Sequence, residues 1–457
     1  MILAGQRSRD KTDIGTMFSR KQLQKLILPL IVEQILAITV GMVDTMMISY
    51  AGEAAISGVS LVDMINILLI NIFAAVGTGG AVVVSQYLGH GNKKLACRAA
   101  EQLITVSTVI STGIMLLGLL FRAPLLKLLF GTVEADVMQN AMIYFLISAF
   151  SFPFLAVFNA CAATYRSMGN SRISMQVSVG MNIFNAIGNA VLIFGFQMGT
   201  AGAALSTLAA RILGALVMMA LMKNQKNDVY VIYRNLLMWE RSMVRRILHI
   251  AIPNGVENGL FQLGRVLVVS IISRFGTAQI AANAVANNLD SMGCIAGQAM
   301  NLAMITVVGQ CMGAGEKEQA VWYTKKLWKF TYQITAAVNS IILLSLPFLL
   351  NVYSLSPEAW RYAFILVCIH NGCAILLWPT SFTMPNALRA SGDVKFTMVI
   401  SVASMFVFRI GFSVVLGIYF GLGAIGVWIA MVLDWICRVS FYVWRFCSKK
   451  WLDFKVI

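Results

Sequence analysis

"PLIVEQILAITVGMVDTMMIS", residues 29–49, decides what kind of chain this is. It is long and apolar enough to cross a hydrocarbon core roughly 30 Å thick, which takes about 20 helical residues, yet it contains Glu33 and Asp44. The eleven-residue step between them turns an α-helix through about 1100°, three turns and 20°, so both acids fall on one face, roughly 16 Å apart along the axis. An ionisable group in lipid costs at least about 2.5 kcal/mol. That face is therefore expected to line a cavity.

Outward from this helix the chain keeps the same character. Its 457 residues are 59% hydrophobic and 12% charged, with mean hydropathy +0.78, whereas soluble domains carry about 25% charged residues. Apolar runs predict twelve membrane spans, at 26–49, 56–80, 98–121, 138–162, 173–195, 200–222, 247–273, 279–306, 326–350, 360–384, 395–418 and 423–445. The net charge of +16 would suit nucleic acid if it were clustered, but 27 of the 35 Lys and Arg fall in alternate loops and at the two ends. Four fall on the opposite side (Arg122, Lys127, Arg274, Arg361) and four within spans (Arg211, Arg265, Arg409, Arg438). That asymmetry is the positive-inside bias of a membrane protein, and it predicts cytoplasmic termini and no nucleic-acid partner. The first apolar segment is too long for a secretory signal and no small-residue cleavage site follows it. Eight Cys lack C-x-x-C pairs, and His90, His249 and His370 lie far apart in sequence. That spacing points to neither a disulfide framework nor a metal centre.

The chain is also a repeat. A shift of 224 residues aligns 29–91 with 253–315 without a gap, placing Pro29 on Pro253, Glu33 on Glu257, Gly52 on Gly276 and "VSQYLGHG" (84–91) on "VGQCMGAG" (308–315). A shift of 223 places "RSMGN" (166–170) on "RASGD" (389–393), and 224 pairs "GTAG" (199–202) with "GAIG" (423–426). Six spans per copy is an even number, so both copies run the same way across the membrane, as in transporters whose halves are related by an axis along the membrane normal. The expected fold is all-α and integral to the membrane, with twelve transmembrane helices in two parallel six-helix lobes. Its parts are a cytoplasmic segment 1–25, an N-lobe 26–222, a cytoplasmic linker 223–246, a C-lobe 247–445 and a cytoplasmic tail 446–457.

Intramembrane polar groups are the functional candidates. Asp44 has no basic neighbour on its own helix. Glu33 and Glu257 stand within two turns of a helix start, where capping or pairing with Lys25 or Arg246 competes with a role in transport. Asp434 and Arg438, four apart, read as an intrahelical salt bridge, while Asp63 and Arg409 stay open between structural pairing and site. Arg265 and Asp290 join the C-lobe candidates. Asn185 and Asn189 share a face of the fifth span, and Ser206 and Thr207 follow in the sixth. Their oxygens and amides suit a hard monovalent cation or a proton relay, and equally suit hydrogen bonding between helices. Most of the 26 Met and 26 Phe are filler, and those at a cleft would make an adaptable wall. Pro153, Pro379 and Pro385 interrupt the fourth and tenth spans and permit kinks.

From about Lys25 to Trp451 these marks resemble the multidrug and toxic compound extrusion (MATE) transporters. The resemblance rests on the "P…EQ…VGMVDTMMIS" first helix, "VSQYLGHGN" and "VGQCMGAGE" after spans two and eight, "YRSMGNSR" after span four, and "GTAGAALST" opening span six. It implies a secondary-active antiporter that exports organic cations or other amphipathic compounds in exchange for H⁺ or Na⁺ by alternating access. On that resemblance the cation-coupling residues are Asp44, Asn185, Asn189 and Thr207, with Na⁺ at Asp44 as the one metal ion. Asn189 stands where one branch of the family has Asp and another has Asn. Where members often carry a Glu two turns after the Pro of helix seven, this chain has Phe261, with Glu257 one turn earlier, and nothing from Tyr362 to Arg389 is acidic. The expected partners are small-molecule substrates and the bilayer, with no cofactor beyond the coupling ion, and the chain is expected to be a monomer in the cell inner membrane or plasma membrane.

The alternative is a flippase for a lipid-linked oligosaccharide or similar amphiphile, which calls for a markedly cationic central cavity. Arg265 and Arg409 keep it in view. An enzyme finds no support: there is no His-rich cluster, no phosphate-cradling G-x-x-x-x-G-K-[ST] and no Ser/His/Asp set. The charge count makes a direct prediction. Single cysteines at Glu53, Glu134, Thr277 and Pro357 should react with an impermeant reagent from outside, and those at Lys93, Lys226 and Lys317 only from inside. Opposite labelling of the two halves would defeat the parallel repeat.

Overall fold

The computed structural model describes residues 17–131, 133–353 and 355–457. The first sixteen residues of the expected cytoplasmic segment lie outside the described residues. Twelve membrane-crossing segments follow one another in two lobes. The N-lobe comprises α1 (Arg20–Ser49), α2 (Glu53–Gly89), α3 (Lys93–Leu120), the short α4 (Arg122–Phe130), α5 (Ala135–Phe150), α6 (Phe152–Ser167), α7 (Ser171–Asn189) and α8 (Gly199–Met222). The C-lobe comprises α9 (Arg241–Ile272), α10 (Thr277–Gly313), α11 (Lys317–Val352), α12 (Pro357–Trp378), α13 (Met384–Ser391), α14 (Val394–Ser404) and α15 (Gly423–Cys447).

Hydropathy located every span and missed where some end. Helices α2 and α10 run past the expected 80 and 306 to Gly89 and Gly313, because their last two turns pack on protein, and α11 starts at Lys317 rather than 326. The fourth span is two helices, α5 and α6, bent by 46°, with Pro153 in the first turn of α6. In the tenth span the proline run interrupts the α-helix: Pro379–Thr383 forms a π-helical turn between α12 and α13. Further π-helical turns, at Ala190–Gly195 after α7 and at Met405–Gly411 and Ser413–Tyr419 after α14, carry no proline.

The repeat is visible in the backbone. Apart from Lys449 near the C-terminal end, left-handed or otherwise positive φ occurs at Gly52 and Gly276, Gly91 and Gly315, Gly169 and Gly392, Gln197 and Gly421, and Gly199 and Gly423. Each is a repeat-related pair. A residue that must turn with φ above zero is nearly restricted to glycine, so the two copies share their turns as well as their helices.

The lobes join by a crossing of α2 and α10 at the end that carries the basic loops. Gln86 donates from Nε2 to the Ala390 carbonyl at 2.8 Å, and its repeat mate Gln310 donates to the Ser167 carbonyl at 2.6 Å. A Cβ on Gly89 would lie 1.9 Å from the Gln310 carbonyl oxygen, and one on Gly313 would lie 1.9 Å from that of Gln86. The first halves of α1 and α9 also exchange sides. Leu23, Leu26, Ile27 and Leu30 pack with Met300, Met304 and Val307 of α10, while Val244, Ile247 and Ala251 of α9 join the core of α2, α3 and α6. The linker is pinned to α3, where the buried Glu101 accepts from the Ile232 backbone at 3.1 Å and from Arg98 at 3.0 Å.

The two repeat-related glutamates find repeat-related partners, and these are not the expected Lys25 and Arg246. Arg389 donates to Glu257 at 2.7 Å, and Arg166 stands 4.0 Å from Glu33. Both arginines come from the "RSMGN" and "RASGD" motifs. Arg246 instead donates to the Tyr87 hydroxyl.

Gly89→Val and Gly313→Val should each force the α2–α10 crossing apart, since the clash is with backbone and overpacking of this kind costs about 1–3 kcal/mol. Spin labels placed across the crossing should show a longer inter-lobe distance together with a lower Tm. An unchanged distance in both variants would mean that the crossing does not hold the lobes.

Candidate functional site

The acidic face of α1 lies against α7. Ser174 donates to Glu33 at 3.2 Å, and Asn185, eleven residues further along α7, donates to both oxygens of Asp44 at 3.0 and 3.1 Å. The one-face spacing read from 33 and 44 is thus matched by 174 and 185 on a parallel partner. This face packs on α7, away from the two cavities bounded mainly by the C-lobe.

Around Asp44 the polar groups form a chain. Asn189 donates to Asp44 Oδ1 at 2.8 Å. The Asn185 side-chain oxygen accepts from Ser206 at 3.0 Å and from Thr207 at 3.3 Å, which orients the amide so that its NH₂ faces the carboxylate. Asn185, Asn189 and Ser206 are buried, Asp44 is half-buried, and Asn189 Oδ1 has no partner. No lysine or arginine bonds to Asp44 among the described residues. A second polar group lies deeper in the N-lobe: Asn66 donates to Asp63 at 3.2 Å, and Arg211 donates to Ser151 at 2.6 Å. Asp44, Asn185, Asn189 and Thr207 therefore converge, while Glu33 sits three turns away with Arg166.

The cavities belong to the C-lobe and face α1 and α2. One of about 370 Å³ is bounded by Gln34 and Ile38 of α1 and by Phe261, Arg265, Asp290, Trp378 and Trp428. Another of about 330 Å³ is bounded by Asn71 and Thr78 of α2 and by Glu257, Arg265, Arg389 and Arg438. Arg265 lines both and has no hydrogen-bond or ion-pair partner among the described residues. Asp434 accepts from Arg438 at 2.9 Å, as its i, i+4 spacing predicted, and also faces Arg409 at 3.4 Å. Those two guanidinium groups lie 5.1 and 5.4 Å from the Phe261 ring. Phe261 is thus a platform for two cations where members of the resembled family often have an acid.

Asp290 has a partner that sequence distance concealed. His370 Nε2 is 2.7 Å from its carboxylate, and Cys294 Sγ is 3.2 Å away on the next turn of α10. Span ten, which has no acid, contributes an imidazole instead. The i, i+4 pairing of Asp290 and Cys294 was readable; His370 is 80 residues from Asp290 and arrives only through the packing of α12 on α10.

The MatE family model matches this chain twice, at residues 29–191 and 253–415, one match per repeat. A probable multidrug resistance protein, NorM, of Thermotoga maritima is 28% identical over 439 residues, covering 94% of this chain and 93% of that protein. A FAD transporter of Shewanella oneidensis is 22% identical over 352 residues, with 73% and 75% covered. A MOP superfamily transporter from Pyrococcus furiosus superposes with a TM-score of 0.87 over 95% of this chain and 97% of its own, at 18% identity. With the family model covering most of both repeats, on helices that pair residue for residue at one offset, the chain belongs to the MatE family of membrane transporters.

Proposed function

We propose that this transporter is a secondary-active exporter in which Asp44 binds the driving cation, H⁺ or Na⁺, and the C-lobe cavities hold the cargo. The observation that carries this reading is a carboxylate surrounded by amides and hydroxyls with no guanidinium or ammonium bonded to it. Asn185 and Asn189 solvate the anion without neutralising it, so a small cation can enter and leave as access alternates. The orphan Asn189 Oδ1 supplies a further oxygen beside the carboxylate. Coupling requires cation and cargo to favour different conformations or to compete, because a ligand with equal affinity for both states shifts nothing. The loops near the α2–α10 crossing carry most of the positive charge, which supports cytoplasmic termini and a closed cytoplasmic end.

A second reading of the cargo is favoured by Arg265. The cavities present four arginines, Arg265, Arg389, Arg409 and Arg438, against Glu257, Asp290 and the Asp434 that meets Arg409 and Arg438, a cationic excess centred on Arg265 that suits an amphiphile with a carboxylate or phosphate better than a simple organic cation. The FAD transporter among the relatives carries a cargo of that kind by its name. The same excess is what a flippase of anionic lipid-linked compounds would need. The aromatic wall of Phe261, Trp378 and Trp428 serves any of these cargoes.

Asp44→Asn should abolish gradient-driven export of a fluorescent substrate from proteoliposomes while leaving the protein folded and monodisperse. Accumulation by that variant at the wild-type rate would make Asp44 structural. For a one-for-one exchange of monovalent cations, wild-type transport should follow imposed pH or Na⁺ gradients rather than an imposed potential, which is worth about 2.3 kcal/mol per 100 mV only for an uncompensated charge. Arg265→Gln should lower export of an acidic or zwitterionic amphiphile roughly tenfold or more, the value of a lost hydrogen bond to a charged group, and leave a cationic dye little changed. Equal losses for both would remove the anionic reading.

A further inference from the structure

The centre at Asp290, Cys294 and His370 plays no part in that account. Its ligating atoms lie within 4.8 Å of one another, and all three residues line the larger cavity. The hydrogen bonds around His370 constrain what it can hold. Its Nδ1 lies 3.1 Å from the side-chain oxygen of Asn371. Nε2 lies 2.7 Å from the Asp290 carboxylate, so a hydrogen stands between the two in the metal-free protein, at the position a cation would take. The ring cannot turn away, being buried edge-on against Trp428 and Trp435 with centroids at 5.5 and 4.9 Å. Imidazoles that bind metals are commonly oriented in this way, by donating the other ring N–H to a fixed acceptor.

We infer that Asp290, Cys294 and His370 form a binding site for a d-block divalent cation of the Zn²⁺ class, with a fourth coordination position open to the cavity. Oxygen, sulfur and nitrogen ligands at about 2.0–2.3 Å in a tetrahedron stand about 3.4–3.6 Å apart. The present separations of 2.7 Å and 3.2 Å reach that arrangement through side-chain shifts of roughly an ångström or less. Thiolate and imidazole select such ions over Na⁺ or Mg²⁺, so this site is distinct from the driving-cation site at Asp44. With the ion bound, the site holds an aspartate, a neutral imidazole, a thiolate and a divalent ion, the thiol proton having left to solvent, and its net charge is zero, which is why Arg265 and Arg409 nearby do not forbid it.

Co²⁺ is the probe, because a tetrahedral site with a thiolate gives visible d–d absorption together with thiolate-to-metal charge transfer. Purified wild-type protein in detergent should bind one Co²⁺ per chain with both signals and lose the colour when Zn²⁺ is added. Cys294→Ala should lose the charge-transfer band, and His370→Gln should bind at least tenfold more weakly, each with an unchanged size-exclusion profile. Absence of a saturable signal in the wild type overturns the inference. So does a charge-transfer band that persists in Cys294→Ala, since exposed Cys447 would then be its source. Should either variant fail to fold, the other variant and the wild-type competition between Co²⁺ and Zn²⁺ decide.

Discussion

The crossing of α2 over α10 is the contact on which the rest of the architecture depends. Two glycines bring the backbones to a separation at which no Cβ fits, and two glutamines tie each helix to the opposite lobe's turn, Gln86 to Ala390 and Gln310 to Ser167. Because all four residues are repeat mates, the crossing sits on the pseudo-twofold axis and fixes the relation of the lobes. Around it, α1 and α9 each bury their first half in the other lobe and their second half in their own, with Pro29 and Pro253 inside them. Motion that exposes the cavities to the opposite side must undo this polar and glycine-lined crossing and rearrange the apolar packing of α1 and α9 on the opposite lobes.

The two lobes have kept one skeleton and diverged in charge. In the N-lobe, Asp44 meets only amides and hydroxyls. In the C-lobe the equivalent level is occupied by a guanidinium pair on Phe261, by Arg265, and by the Asp290–His370 pair. Glu33 and Glu257, by contrast, kept the same job of meeting an arginine from a repeated motif, though the pair is tight in the C-lobe and long in the N-lobe. Truncating one member of the buried Glu257–Arg389 pair leaves the other charge uncompensated, which is costly by about 3–5 kcal/mol.

Much of this was legible in the residues. Helix number, the parallel repeat and the shared face of Glu33 and Asp44 follow from period, offset and polarity, whereas the grouping of Asn185, Asn189 and Thr207 with Asp44 comes from the resemblance to a known family. The extra turns of α2 and α10 were not, because "VSQYLGHG" and "VGQCMGAG" are buried by protein contacts that hydropathy does not measure. The partners of Glu33 and Glu257 could be read only by joining two motifs 133 and 132 residues away, and His370 reaches Asp290 through tertiary packing that no spacing rule encodes. The acid face of α1 is met by α7, since amides can meet a carboxylate as water would.

The account divides labour between lobes: cation at Asp44, cargo in the C-lobe. The most direct measurement is equilibrium binding of a fluorescent substrate to purified wild-type and Asp44→Asn protein as H⁺ or Na⁺ is titrated. If the division holds, substrate affinity falls with rising cation in the wild type, while the variant binds substrate with an affinity that no longer responds to the cation. Substrate binding that is lost altogether in Asp44→Asn, or that responds to the cation as the wild type does, would contradict it.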